Sequence, residues 1–291
     1  MPSCLAIDIG GTKLACGIVD GDGSLRERRQ VATPATTDPE VLFSALAELI
    51  SATSASSGDD ALLCGVGCGG PMEPDGVTVS PLNIPAWTSF PLHDRLRELT
   101  GLPVAVDNDA KALALGEGWR GAARGVSSFL AMVVSTGVGG GIVLDGRLLG
   151  GRLGNAGHIG HLVVEPEGRW CRCGVRGCLE AEASGTAIEE RTGRPSREAD
   201  AATIDSCGTH VGRAVASVAT LLDLDLCVVA GSVALGFGEP FFTAAQRSLD
   251  EGTGLAYARG ARIIPAGLGD EGPLIGAAAV AMSRFSELVA S

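Results

Sequence analysis

The sequence lacks several things that whole classes of protein require. No run of about 18 uninterrupted apolar residues is present, so no membrane-spanning helix is expected. The opening residues, MPSCLAIDIGG, are neither basic nor apolar for long enough to make a secretion signal. Basic residues are scarce: 22 Lys and Arg face 34 Asp and Glu, a net charge of −12. Binding nucleic acid means neutralising phosphates with a basic face, so no nucleic-acid partner is expected. An even cysteine count is also missing. Nine thiols cannot all pair, and without an export signal the reducing cytoplasm is the expected compartment.

What is present fits an α/β protein of some size. The 291 residues suffice for two domains or one large unit with a sizeable core. Hydrophobic residues make up 45% and charged residues 19%, an ordinary globular balance. Many of the 43 glycines cluster after apolar runs, where backbone must turn or come close to a ligand. Cys4, Cys16, Cys64, Cys68 and Cys227 lie in or beside apolar runs and read as buried small hydrophobes.

Residues 4–32 read as a three-stranded antiparallel meander with glycines at its first turn and Gly21-Asp22-Gly23 at its second. Apolar spacing predicts a helix over 39–55, a buried strand over 62–66 and a Gly/Pro loop over 67–75. A helix over 91–100 and a strand over 104–106 follow, then an acidic tip at Asp107, Asn108 and Asp109 that opens a helix over 110–119. The opening pattern then returns: strand 129–134, glycine turn 135–141, strand 142–144 and an Asp145-Gly146 turn. We read this as an internal duplication, two domains built on one meander. A strand over 226–230 leads to a third glycine turn at Gly231-Ser232, and helices are expected at 180–192, 201–223 and 273–289, with an exposed loop over 191–200.

The stretch from Gly154 to Glu180 carries the strongest chemical signal. His161, Cys171, Cys173 and Cys178 form an H-x9-C-x-C-x4-C array. Three thiolates and one imidazole make a closed tetrahedral set, the shell of a structural Zn²⁺. Free cysteines or a purely structural knuckle are the plainer readings. The nearby polar groups of His158 and Glu180 point instead to a shaped small-molecule pocket.

Glycine turns after apolar strands bare backbone N–H groups to phosphate oxygens. One such turn is a weak signal, and three are a stronger one. Asp8, just before the first turn, suits a Mg²⁺ that bridges nucleotide phosphates, and Thr12 can hydrogen-bond a phosphate. A buried acid capping the loop is the alternative for Asp8. Asp109 is the candidate general base, able to take a hydroxyl proton as that hydroxyl attacks phosphorus. Its alternative is a plain helix N-cap cluster with Asp107 and Asn108. His93 and His210 fall in predicted helices away from the motifs, Trp87 suits a sugar cleft or its own domain's core, and the acids over 180–190, Glu180 excepted, read as a solvated helix face.

Together AIDIGGTK (6–13), DNDAK (107–111), STGVGGG (135–141), GHIGH with the cysteines and CLE (157–180), and AGS (230–232) resemble the ROK family of sugar kinases and repressors. They recur in family order over nearly the whole chain. The resemblance implies two ribonuclease-H-like domains of the actin/hexokinase type with a cleft between them, closing over substrate. The smaller would be 1–115 with 276–291, and the larger 116–275 with the zinc loop. It implies ATP held by Asp8, Gly10, Gly11, Thr12, Lys13, Thr136, Gly137, Gly139, Gly231 and Ser232. It places the sugar on Gly70, Asn83, Asn108, Asp109, His158, His161 and Glu180, with Asp109 the base, and Zn²⁺ on His161, Cys171, Cys173 and Cys178. Mg²⁺ and a homodimer are implied as well. Two residues depart from the family pattern: His158 stands where a sugar-binding Glu is usual, and Lys111 where Asn is usual. The AGHIGH pattern is more similar to bacterial N-acetylmannosamine kinases than to glucokinases. The expected reaction is therefore ATP-dependent phosphorylation of the 6-hydroxyl of a hexose or amino hexose, with N-acetylmannosamine first, then glucose or another amino hexose such as 3-amino-3-deoxyglucose. Polyphosphate is the alternative donor. A sugar-responsive ROK repressor is the rival from another class; its members carry a DNA-binding segment before the first glycine turn, which here begins at Gly10.

Overall fold

The structure is a computed structural model that describes residues 2–57 and 61–286. It divides into two compact units, Met1–Gly121 with Gly150–Ala156 and Leu268–Ser291, and Ala122–Leu149 with Gly157–Gly267. Each holds one five-stranded mixed sheet.

In the first unit, β1 (Ser3–Ile9), β2 (Lys13–Val19) and β3 (Leu25–Ala32) form the antiparallel meander. β4 (Ala61–Cys68) and β5 (Val104–Asn108) extend it in parallel on the other side of β1, giving the order β3-β2-β1-β4-β5. Side chains alternate between the faces of a strand. Leu5, Ile7 and Ile9 therefore pack with Leu42 and Leu46 of α1 (Pro39–Ser57) and Leu92 and Leu96 of α2 (Leu92–Thr100). Cys4 and Ala6 point the other way, to Ala112 of α3 (Asp109–Arg120) and to Ala277 and Ala278 of α9 (Gly272–Arg284). Small residues on that face let α3 and α9 lie close to the sheet. Each fully buried Leu or Ile stabilises the fold by about 1.5–3 kcal/mol.

In the second unit, β6 (Phe129–Val134), β7 (Val138–Leu144) and β8 (Arg147–Leu148) repeat the meander, while β9 (Leu226–Ala230) and β10 (Arg262–Pro265) add in parallel. The order β8-β7-β6-β9-β10 reproduces the first sheet strand for strand. Helices α4 (Leu179–Ala183), α5 (Gly185–Thr192), α6 (Ala201–Leu222), α7 (Ser232–Phe237) and α8 (Glu239–Gly252) belong to this unit. Among the described residues no helix is long and apolar enough to cross a membrane.

Several boundaries differ from the sequence expectation. β4 runs on through Gly67 and Cys68, because pairing with β1 on one side and β5 on the other needs no side chain from either. β7 begins at Val138, so Gly139, Gly140 and Gly141 are strand residues facing Val133, Met132 and Ala131, and the second turn is only 135–137. A Cβ on Gly140 would lie 2.9 Å from Ile159 Cγ2, so the glycine lets the 157–161 segment sit directly on the sheet. The helix expected over 180–192 is broken at Ser184, whose Oγ caps α5 by accepting from Ala187 N. β8, β10, α7 and α8 were not anticipated. α9 ends at Arg284, and residues 287–289 of the expected helix lie outside the described residues. The units part after Gly121 and after Gly267, not inside α3 and α9 as the 115/116 and 275/276 divisions would have it; each helix packs as a whole.

Candidate functional site

In the first unit, the functional side chains gather at the C-terminal ends of parallel strands, where α/β sheets place their ligands. Asp8 sits on β1, opposite Ala15 of β2 and Gly67 of β4. The turn beyond it is closed by Gly10 N donating to the Lys13 carbonyl at 3.0 Å and by Thr33 Oγ1 donating to the Gly10 carbonyl at 2.7 Å. Gly11 and Thr12 stand exposed at its tip. A Cβ on Gly11 would lie 2.8 Å from Asn83 Cβ, so Asn83 packs against this turn.

β5 delivers Asp107, Asn108 and Asp109 to the start of α3. Asn108 is the N-cap: its Oδ1 accepts from Ala110 N at 3.1 Å. Asp109 Oδ1 also accepts from Ala110 N, at 2.8 Å, and the residue is exposed. The N-cap reading therefore holds for Asn108, while Asp109 keeps a solvent-facing carboxylate in the first turn, where the helix dipole favours negative charge. Gly70 adjoins Asn108: a Cβ there would lie 3.6 Å from Asn108 Nδ2. Burial pushes the Asp8 carboxyl up to about 7, the Asp109 charge adds to the rise, and Lys13 and Arg28 oppose it. Two carboxylates that resist joint ionisation are relieved by a cation, and oxygen ligands of this kind suit Mg²⁺.

Lys111 is the residue whose role the sequence did not disclose. Its side chain is 5% exposed. Nζ donates to the Gly154 carbonyl at 2.7 Å and lies 3.3 Å from Asp107 Oδ1. This one amine ties the crossing segment Gly150–Ala156 to the N-terminal turn of α3. The only sequence signal was its departure from the family's usual Asn.

In the second unit, the turn Ser135–Gly137 and the turn at Gly231 are neighbours, with Ser135 Oγ and Ser232 Oγ 2.9 Å apart. Gly231 adopts φ 102°, a conformation natural to glycine. Thr136, Gly137 and Ser232 thus come together, whereas Gly139 lies beyond the turn in β7. The ligand atoms of His161, Cys171, Cys173 and Cys178 lie within 4.8 Å of one another. Cys173 Sγ is 3.6 Å from Cys178 Sγ, and Cys171 Sγ is 3.7 Å from His161 Nδ1. A tetrahedral site with arms of about 2.0–2.3 Å has edges of roughly 3.5–3.8 Å, so these donors fit one Zn²⁺. His158 is exposed, its ring centroid 6.2 Å from that of His161. Glu180, on the first turn of α4, accepts from Val138 N at 3.0 Å.

Other residues take different places from those expected. Glu182 is not on a solvated face; it is buried and accepts from Arg169 N at 2.6 Å, bracing the cysteine loop. His210 is not remote from that loop, since its Nε2 lies 3.9 Å from Glu165 Oε2, and burial holds its pKa below the usual value. Trp87 is core: it is stacked on Phe90 at 4.4 Å and donates from Nε1 to the Pro39 carbonyl. His93 pairs with its neighbour Asp94 at 3.0 Å.

Comparison with known proteins agrees with this architecture. The model of the ROK family matches residues 4–284. The chain is 39% identical over 251 residues to the N-acetylmannosamine kinase of Citrobacter koseri, an alignment covering 81% of this chain and 85% of that one. Its fold is similar to the ROK hexokinase of Thermus thermophilus, with a TM-score of 0.84, 36% identity, and 98% and 99% of the two chains covered. It is similar too to the ROK family glucokinase of Streptomyces griseus solved with glucose and AMPPNP, with a TM-score of 0.83, 31% identity, and 97% and 99% covered.

Proposed function

The chain belongs to the ROK family, and we propose that it is an ATP-dependent kinase that phosphorylates the 6-hydroxyl of N-acetylmannosamine. The observation that carries the phosphoryl-transfer reading is in the first unit. An exposed Asp109 at a helix start neighbours a half-buried Asp8 whose carboxyl pKa is pushed up to about 7. In this reading Asp109 takes the proton from the sugar hydroxyl as its oxygen attacks the γ-phosphorus and ADP leaves. Asp8 holds Mg²⁺, directly or through water. Gly10, Gly11, Thr12 and Lys13, with Thr136, Gly137, Gly231 and Ser232, bind the nucleotide. Bound Mg²⁺ neutralises charge that develops on the phosphates.

Asn108, Gly70, Asn83, His158, His161 and Glu180 contact the sugar. His161, Cys171, Cys173 and Cys178 hold a structural Zn²⁺, which shapes the loop. His161 would use the Nδ1 that faces Cys171, leaving Nε2 for a sugar hydroxyl. The 39% identity to an N-acetylmannosamine kinase supports the choice of sugar, and so does His158. An imidazole offers one donor and one acceptor, where a carboxylate accepts twice.

A coupled ADP-release assay with ATP over a panel of hexoses and amino hexoses tests the reading. N-acetylmannosamine should give the highest kcat/KM. Absence of turnover with every sugar would refute the kinase assignment, and a preference for glucose would refute the sugar. In the same assay His158→Glu should shift kcat/KM toward glucose by about tenfold, roughly 1.4 kcal/mol. An unchanged ratio would show that His158 does not select the sugar.

A further inference from the structure

The second unit contains a clamp that the proposed roles do not use. The turn Ser135–Gly137 is stitched to the start of α5 by three hydrogen bonds, and Val138, the first residue of β7, is tied to α4 by a fourth. Gly185 N donates to the Ser135 carbonyl at 2.7 Å and Thr186 N to the Thr136 carbonyl at 3.3 Å. Thr186 Oγ1 donates to that same Thr136 carbonyl at 2.9 Å. Val138 N donates to Glu180 Oε2 at 3.0 Å. The first N–H groups of a helix have no partner within the helix, and here two of them are taken by the carbonyls of the turn.

The direction of these bonds has a consequence. In a trans peptide the C=O and the following N–H point opposite ways. With the Ser135 and Thr136 carbonyls turned toward α5, the N–H groups of Thr136 and Gly137 point away from it. The next N–H, that of Val138, is turned back onto Glu180. A carboxylate can come this close only because residue 137 is glycine: a Cβ there would lie 2.8 Å from Glu180 Oε2. The break of the helix at Ser184 puts the α5 amides where the turn needs them.

We propose that Thr186 and Glu180 are positioning residues that aim the Thr136 and Gly137 amides at a nucleotide phosphate. Glu180 thereby joins the sugar-contacting segment to the phosphate turn, one oxygen committed to Val138 N and the other left for a hydroxyl. The inference rests on the kinase reading for its ligand, but the clamp itself can be tested without it.

Thr186→Val removes the hydroxyl and keeps both shape and backbone bond. It should raise the KM for ATP three- to tenfold and leave the KM for sugar within twofold, and Thr186→Ser should restore the ATP value. Glu180→Gln can still accept from Val138 N through its amide oxygen, so it should raise the KM for sugar while leaving that for ATP within twofold. Glu180→Ala should raise both. An unchanged ATP KM in Thr186→Val, or equal ATP KM values in Glu180→Gln and Glu180→Ala, would overturn the proposal. Hydrogen exchange at the Val138 amide reads the clamp in the free protein. Exchange should be at least tenfold faster in Glu180→Ala than in wild type or Glu180→Gln; equal rates would overturn the clamp. If wild type transferred no phosphate to any sugar while this exchange pattern held, the kinase reading alone would fail.

Discussion

The two units have sheets of the same strand order, yet they place their candidate functional groups by different means. In the first, the acids come straight off the strand framework: Asp8 from β1, and Asp109 from the junction of β5 and α3. Backbone pairing on both sides sets Asp8, and the pairing of β5 with β4 up to Asn108 sets the start of α3 and so Asp109. In the second, β8 is two residues long where β3 has eight, and the chain leaves the sheet early. His158, His161 and Glu180 therefore ride on a long insertion with little regular structure. Four metal-type donors and a set of side-chain braces, Glu182 to Arg169 N among them, take the place of strand pairing. A duplicated framework supplies rigid acids at no added cost in loop order, whereas a grafted loop must be cross-linked. Loop order is expensive: fixing one residue's backbone costs about 1–2 kcal/mol.

The contrast can be broken first at Asp109. Asp109→Asn keeps the size of the side chain and removes its basicity, so kcat should fall by about 10²–10⁴, the range for loss of a positioned base. The melting temperature should stay close to wild type, because the framework is untouched. Steady-state kinetics showing kcat within tenfold of wild type would remove Asp109 from the role of base.

Lys111→Met tests whether the first unit too depends on a pin. It strands the Gly154 carbonyl and, among the described residues, leaves the Asp107 charge with only the Asn108 N–H at 2.7 Å. Losing one partner of a fully buried pair costs about 3–5 kcal/mol; Asp107 is 24% exposed, so about 2–3 kcal/mol is expected here. Denaturant unfolding should register the loss, and hydrogen exchange should quicken across 150–156. A stability change below about 0.5 kcal/mol would show the contact to be passive.

Cys173→Ser attacks the second unit's cross-link. Elemental analysis should find one zinc per chain in the wild type and less in the variant. The KM for sugar should rise about tenfold, and by more than the KM for ATP. Wild-type protein without zinc, or equal effects on the two substrates, would sink the loop's assigned role.

The smallest effect concerns pH. Asp8 is raised from its usual value near 3.8 to about 7, so the folded state holds a proton that the unfolded state releases. Stability from this group is thus full below about pH 4 and is lost as pH rises through 7. Asp8→Asn removes the penalty of ionisation. Without Mg²⁺ and nucleotide, the variant should gain on wild type by about 1 kcal/mol between pH 5 and pH 8, discounted because the residue is partly open to solvent. Thermal melts with the opposite slope would contradict the buried-acid account of Asp8.

Much of this architecture was legible from residue order. Apolar runs, glycine turns and the DG signals located β1 to β3, β6 and β9, and their repetition announced the duplication. The spacing of His161, Cys171, Cys173 and Cys178 named a metal set before any distance was known. Local pattern failed where tertiary contact decided the outcome. A run of glycines reads as a turn, but at 139–141 it is strand, because the ladder to β6 supplies the bonds and the 157–161 segment needs the space. The acids over 180–190 look like a solvated face; Glu182 is buried because the cysteine loop folds back over it. Nothing local marks the carbonyls that Thr186 and Lys111 hold either, since these lie 50 and 43 residues away in the chain. The sequence by itself thus determined the paired sheets, the glycine turns, the His/Cys cluster and the family. Only the tertiary structure decided which carbonyls and amides those side chains hold, because such bonds join residues distant in sequence and leave no periodicity to read.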